Sequence, residues 1–480
     1  MMRHQSQVNG YLTVFLSLSI TVILSLVLAL FQGARVSAFK MKSEIISDVA
    51  MKSVLSEYSR ELYEQYGILM VDTSYGQKKG GIINAQDHLK YYIEENTKKP
   101  MLGYLQDSTM MNSIFLKEAA ITGSSFAADG NGAVLRNQII EYMEAVPFGD
   151  SISKVSDNLG ILQYNGYDTE DISAKQTANQ QIIDDYDLGT TTDDDGNEVE
   201  RTLDNPADNV NSQRSVGILN LISGQESISN VSVDLSKYLS QRKINHGTGL
   251  GETENTGIPE KLLIDEYIFE KCGNYRKTLD KSKLKYQIEY IIAGENNDYS
   301  NLEKVCEKLL FWREASNFSY IMTNEGFKEA ALTAATLIAA LAGAPALTEP
   351  IQYSILFAWS FAESISDISI LLKGGKVPII KTAGTWKLSI EGMLDFKNNL
   401  NSDCKEGLKY EDYLRMLLFT TETGDKTTRL MDIMEMDIRK TKGNKNFKLD
   451  YCLDKFCGLI KMQDKSGFNF EIERIYGFDK

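Results

Sequence analysis

From Tyr11 to Phe31 the chain carries no charged residue, and this run limits the fold before anything else does. A helix needs about 20 apolar residues to cross the hydrocarbon core of a membrane, whereas the apolar part of a secretory signal spans only about 7–15. A small-residue stretch with the character of a cleavage site, Val36-Ser37-Ala38, lies beyond the run and behind Arg35. Residues 11–31 are therefore expected to be an uncut, single-pass anchor with the lipid bilayer as partner. Arg3 precedes the run, and Arg35, Lys40 and Lys42 follow it; by local cation count alone the following chain would stay in the cytoplasm. Large following domains cross largely regardless of such charges, and nothing after residue 42 resembles cytoplasmic enzymology. The expected location is the cell membrane, with the bulk of the chain extracytoplasmic.

The same helix is expected to continue past the membrane surface. No proline occurs from Tyr11 to Tyr66, and Gly33 is the one glycine before Gly67 in that stretch. Ile46, Ala50, Val54, Tyr58, Leu62 and Tyr66 recur every fourth residue, joined by Val49 and Leu55, with Lys52, Glu57, Arg60 and Glu64 opposite. This is a helical apolar stripe, and Gly67 stands where a C-terminal cap belongs. At about 1.5 Å per residue the helix would approach ~80 Å. Its stripe has two readings: packing against the protein's own domain, or against sister subunits.

Composition excludes some functions. The formal charge is −15 with a pI near 4.9, which argues against nucleic acid as a partner, since that needs a basic face. Mean hydropathy of −0.26 and 42% hydrophobic residues are globular values. The three histidines, His4, His88 and His246, are scattered, and the five cysteines form neither a disulfide scaffold nor a paired zinc pattern. No metal or cofactor is expected.

Beyond residue 66, residues 67–165 read as a small α+β domain. "SIFLKEAAIT" has strand character, "DGNG" is a turn, and "AVLRNQIIEYMEAV" is a helix with Leu135, Ile139 and Tyr142 on one face. Residues 166–250 read as an acidic, partly disordered linker, because the acidic, aromatic-poor stretch 166–215 has little apolar surface to bury. Residues 251–480 read as mainly helical. Within them, Ala330–Thr348 is uncharged but dominated by alanine and threonine, which favours a core helix over a second membrane span. At the end, Phe468, Phe470 and Ile472 alternate with Asn469, Glu471 and Glu473, a half-buried strand paired in a hairpin across "QDKSG". Strands near residues 70 and 117 and at the C-terminus are expected to share a sheet. The fold class is α+β, mainly α-helical, with a small antiparallel sheet.

Few residues suggest chemistry. Glu363 and Asp367 stand one helical turn apart in an apolar helix, with Lys373, Lys376 and Lys381 nearby; Glu363, Asp367 and Lys376 form the candidate polar cluster. Paired carboxylates suit acid–base work or a metal, and equally a buried ion pair. "LLKGGKVPIIKT" lacks the first glycine and the hydroxyl residue of a phosphate loop, and "HGTGLGE" has no apolar strand before it. "TTDDDGNEVERT" places Asp193, Asp195 and Gly196 as a partial calcium loop, but the bidentate glutamate is missing. No catalytic motif is present, so the chain is expected not to be an enzyme.

A glycine before an aromatic, Gly10-Tyr11, then an apolar helix running into "SDVAMKSVLSEYSRELYEQYGILMVD", resembles the N-terminal part of TadE/TadG-like pseudopilins of tight-adherence (Flp) pilus systems. The stretches "GYLTVFLSL", "SEYSRELYEQYGI", "FAESISDISILLKGGKVPIIKTAGTWKLSIEG" and "YEDYLRMLLF" resemble a family of single-pass bacterial proteins catalogued as a domain of unknown function. The first resemblance implies processing between Gly10 and Tyr11, while the helix-packing stripe at Ile46, Val49, Ala50, Val54, Tyr58 and Leu62 rests on its periodicity. Phe15 stands where such subunits usually carry a glutamate. The functional expectation is a non-enzymatic anchored surface protein, working by helix packing or self-association with a pilus or secretion assembly. The alternative is a membrane-tethered enzyme or ligand-binding sensor.

Overall fold

The computed structural model describes residues 6–98, 114–145, 151–192, 197–222, 228–251, 257–400 and 404–478, apart from the side chains of 6–9 and 151–153. The chain forms two compact units. The first takes residues 1–138, 243–254 and 441–480, and the second takes 139–242 and 255–440. Chain order alone suggested consecutive domains at 67–165, 166–250 and 251–480. The structure interleaves them instead, because the central strand of the first unit is supplied by the C-terminal residues.

In the first unit, helix α1 runs unbroken from Ser6 to Leu55. Gly33 does not interrupt it, having helix on both sides to carry the hydrogen bonds. The large apolar side chains from Tyr11 to Phe31 are exposed, and by length and composition this helix is able to cross a membrane. From Phe39 onward one face turns inward: Phe39, Ile46, Ala50, Met51, Val54 and Leu55 join the core. Continuity to Tyr66 does not hold. After Leu55 the Ser59 amide donates to the Met70 carbonyl at 2.8 Å instead of to its own helix. Ser59 then caps a short helix α2, Arg60–Tyr66, by accepting from the Leu62 amide. Gly67 ends α2 in the left-handed region, at φ 72°.

Four strands make the sheet: β1 (Val71–Asp72), β2 (Ile114–Phe126), β3 (Cys452–Asp464) and β4 (Asn469–Gly477). All pairings are antiparallel, with β3 central and paired to each of the others. The alternation at the C-terminus gives β4, with Met462 opposite Phe470 and Ile460 opposite Ile472. Helix α3, Ile82–Lys98, adds Ala85, Leu89 and Ile93 to the core shared by α1, Phe456, Ile460 and Met462. Each large apolar side chain so buried contributes about 1.5–3 kcal/mol. The β3–β4 hairpin also fastens α1. Arg474 pairs with Asp48 at 2.5 Å, Arg35 pairs with Asp464 at 3.2 Å, and Lys40 lies over the rings of Phe468 and Phe470.

The second unit is helical around one buried rod. Its helices include α4 (Ile172–Asp184), α5 (Pro206–Ser212), α6 (Gln287–Ala293), α7 (Asp298–Thr323), α8 (Glu325–Leu341) and α9 (Thr348–Leu372). Helix α9 is apolar and long enough to span a membrane but is buried throughout its most apolar stretch, so it is the core helix. Helix α8, in the uncharged run expected to be core, only half fulfils that: Ala331, Ala335 and Ala339 are buried, while Leu332, Leu337 and Leu341 are exposed.

The expected linker is also corrected here. Helices α4 and α5 pack on α9, burying Ile172, Ile183, Ala207 and Val210. Their amides reach it as well: Asn179 donates to the Pro350 carbonyl at 2.9 Å, and Asn211 to the Ser354 carbonyl at 3.1 Å. A composition average counts the acidic outer face and misses a sparse apolar inner one. Thr190–Thr192 and Glu198–Glu200 form a small exposed hairpin. Asp193, Asp195 and Gly196 of the calcium-like stretch lie outside the described residues.

Candidate functional site

Helix α9 places Glu363 and Asp367 on one face, as their spacing requires, and both are fully buried. The cation between them is Lys381: its Nζ stands 2.6 Å from Glu363 Oε1 and 2.6 Å from Asp367 Oδ1, and it donates to the Thr385 carbonyl. From α7, Arg313 reaches Asp367 at 3.0 Å and donates from Nη1 to both the Pro378 and Ile379 carbonyls. Asn317 donates to the same carboxylate, and the Lys387 and Leu388 amides donate to Glu363. Lys376 stands apart from this network. It is partly exposed, and its amide donates to the Cys404 carbonyl.

Two carboxylates face two cations here, and the hydrogen-bonding valence is closed. Burial raises the Glu363 pKa above its ordinary value, outweighing the pull of Lys381. Burial also pushes Asp367 upward, but Lys381 and Arg313 together outweigh it and leave Asp367 below its ordinary value. The cluster is a structural clasp, sealed from solvent.

The glycine motifs meet in the first unit. Asp129, from "DGNG", accepts from the Gly247 amide at 3.0 Å and from the Phe126 amide at 2.7 Å, and faces His246 Nδ1 at 3.2 Å. A Cβ at Gly247 would stand 2.1 Å from the Ser124 carbonyl oxygen, so glycine is required by the close approach of two backbones. "HGTGLGE" is thus a packing joint. "LLKGGKVPIIKT" is a turn, with Gly374 at φ 91° and Val377 bridged to Leu408.

The stripe on α1 divides. Ile46, Ala50 and Val54 are buried, as is Leu62 on α2; Val49 and Tyr58 are exposed. Gly10 and Tyr11 lie exposed in the first turns of α1.

Sequence reasoning missed a group of residues that meets a cleft. Glu57, in the turn after α1, accepts from Tyr75 Oη at 2.9 Å and Tyr92 Oη at 2.6 Å, and binds His88 Nδ1 at 2.9 Å. The His88 ring stacks on Tyr75 with centroids 3.9 Å apart. Tyr75 itself has φ 48°, a left-handed conformation that is uncommon and costly for a bulky residue. Burial and the Glu57 carboxylate hold the Tyr75 hydroxyl well above its usual pKa; the hydrogen bond to Glu57, with burial, pushes Tyr92 up to about 12. These residues stand in front of an open cleft of about 570 Å³ lined by Ser74, Gln77, Lys78, Lys79, Asn84 and Asp87 as well as Tyr75 and His88. Among the described residues, no group of three or more His, Cys, Asp or Glu side chains is placed to hold a metal.

A family profile matches residues 196–464, more than half of the chain. The chain belongs to the family of unknown function DUF5702. Neither a curated protein nor a solved structure matches it. The matched DUF5702 segment contains the Glu363–Lys381–Asp367 clasp and strand β3, while Glu57, Tyr75, His88 and Tyr92 precede it.

Proposed function

We propose that this DUF5702 protein is a non-enzymatic, single-pass membrane protein that works by lateral helix packing, with its bulk extracytoplasmic. The observation that carries this reading is the bare side of α1. Ala34, Ala38, Met41, Ile45 and Val49 are exposed, with Met41 at 54%, Ile45 at 41% and Val49 at 43%. Their spacings of four, three, four and four make one line that continues the apolar surface of residues 11–31. The opposite face of the same helix is occupied by its own core. The stripe available to a partner is therefore Met41–Ile45–Val49, not Ile46–Ala50–Val54. Inside the apolar run, the hydroxyls of Thr13, Ser17, Thr21 and Ser25 bond back to carbonyls of their own helix, as a segment in hydrocarbon requires. The partner class that fits is a second apolar helix, from another copy or from a tight-adherence-type pilus or secretion assembly, the context implied by the resemblance of the N-terminal segment.

The five native cysteines are buried, so single cysteines on α1 report cleanly. In isolated membranes, Ile45→Cys is expected to form disulfide-linked adducts on mild oxidation, whereas Lys40→Cys, on another side of the helix, is not. Equal crosslinking at both positions, or recovery of the chain in the soluble fraction with its N-terminus at Phe39, would sink the proposal. A mature N-terminus at Tyr11 in mass spectrometry would add prepilin-type processing to it.

A further inference from the structure

The geometry points to the cleft beside His88 as a binding site for a small hydroxylated molecule carrying a phosphate monoester. The cleft's volume of about 570 Å³ falls within the size of small-molecule sites, about 300–1,000 Å³. Its back wall is built in advance. Glu57 takes three donors at once, from Tyr75, Tyr92 and His88, which leaves the carboxylate little capacity for a ligand and fixes the imidazole by its Nδ1. Tyr75 closes the other face of that ring by stacking. The cost of its left-handed backbone is offset by that stack and by its hydrogen bond to Glu57. The imidazole is thereby presented by its other nitrogen, Nε2, which has no protein partner among the described residues.

The chemistry of the rim sets the ligand class. Lys78 and Lys79 are both exposed on the cleft wall, and neither forms an ion pair among the described residues. In a chain with 66 acidic and 51 basic residues, two adjacent unpaired cations mark a place for an anion, and the imidazole Nε2, an acceptor while Nδ1 donates to Glu57, suits a hydroxyl beside it. Ammonium groups act as point charges and suit a phosphate dianion. The remaining rim is polar and not cationic: Asp87, Asn84 and Gln77 offer acceptors and donors. Asp87 repels a second anionic group and accepts from hydroxyls, so the body of the ligand is a neutral polyol. This site is independent of the helix-packing reading and stands or falls separately from it.

The test is calorimetric titration of the full chain in detergent with glycerol phosphate, inorganic phosphate and glycerol. Glycerol phosphate is expected to bind saturably and more tightly than inorganic phosphate, and glycerol not at all. Lys78→Ala/Lys79→Ala is expected to weaken binding by about tenfold or more with its thermal melt unchanged, and His88→Gln to weaken it by several-fold with a cooperative melt retained. No saturable heat from glycerol phosphate up to about 10 mM, or affinity unchanged in the double lysine variant, overturns the site. Equal affinity for inorganic phosphate and glycerol phosphate overturns the polyol assignment.

Discussion

Two carboxylate centres in this protein are built from similar parts and end differently. Around Glu363 and Asp367, two cations, two backbone amides and an asparagine fill the acceptors, and no side chain in the group is more than 1% exposed. Around Glu57, three donors also fill the carboxylate, but one of them, His88, keeps 39% of its side chain in solvent with a nitrogen to spare. The first centre turns all its valence inward and has none left for chemistry. The second uses a carboxylate to aim a group outward. What separates a clasp from a site is therefore not the residues gathered but whether the last donor or acceptor in the chain of bonds is closed by the protein.

The largest effect that tests this contrast belongs to the clasp. Lys381→Met strands Glu363 in a dry interior, while Asp367 keeps Arg313, and should cost about 3–5 kcal/mol in urea unfolding. Adding Glu363→Gln should recover part of the loss, because a neutral acid analogue needs no counter-charge. A loss below about 1 kcal/mol would mean that the clasp is not sealed.

A second buried carboxylate gives an effect of opposite sign. Glu289, in α6, accepts from the Tyr275 amide and Tyr410 Oη, each at 2.8 Å, and burial pushes it up to about 7. A raised folded pKa means stability fully present below the ordinary carboxylate value and lost as pH rises through about 7. Between pH 5 and 8 Glu289→Gln should gain on the wild type by on the order of 3 kcal/mol. Parallel pH profiles of the two proteins would refute the assignment.

Smaller changes belong to the open centre. Tyr92→Phe removes one of three donors to Glu57 and should cost about 1 kcal/mol. The smallest is His88→Gln, at about 0.5–1 kcal/mol, because the amide still donates to Glu57 while the stack on Tyr75 is lost and the outward nitrogen supports nothing in the fold. If His88→Gln destabilised the protein as much as Lys381→Met, the distinction between the two centres would collapse.

How much of this was legible depended on range. The 3.6-residue period of α1, its C-terminal neighbour capped at Gly67, and the alternation around Phe470 are local signals, and they gave the helix and the hairpin. The end of α1 at Leu55 was not local: it depends on a hydrogen bond from Ser59 to Met70 and on the withdrawal of Glu57 toward α3. Glu363 and Asp367 could be paired from their four-residue spacing, but Lys376 and Lys381 were indistinguishable by sequence; the turn at Gly374 and Gly375 decides which reaches the pair. The cleft residues are separated by 18 to 35 positions from Glu57, and three of them, Glu57, Tyr75 and Tyr92, are residue types that carry no motif. Helices α4 and α5 were hidden for the opposite reason, because their acidic surface dominates any average over the segment.

The uninterrupted course of α1 has a mechanical consequence. From Gly10 to Leu55 there is no hinge, no glycine pair and no proline, and its C-terminal half is bolted to the sheet hairpin through Asp48–Arg474 and Arg35–Asp464. Such a rod, about 70 Å long at helical rise, is a lever with one end cast into the first unit. Tilt, rotation or axial displacement of its exposed apolar end is delivered to the sheet as motion, with no slack joint in which to dissipate.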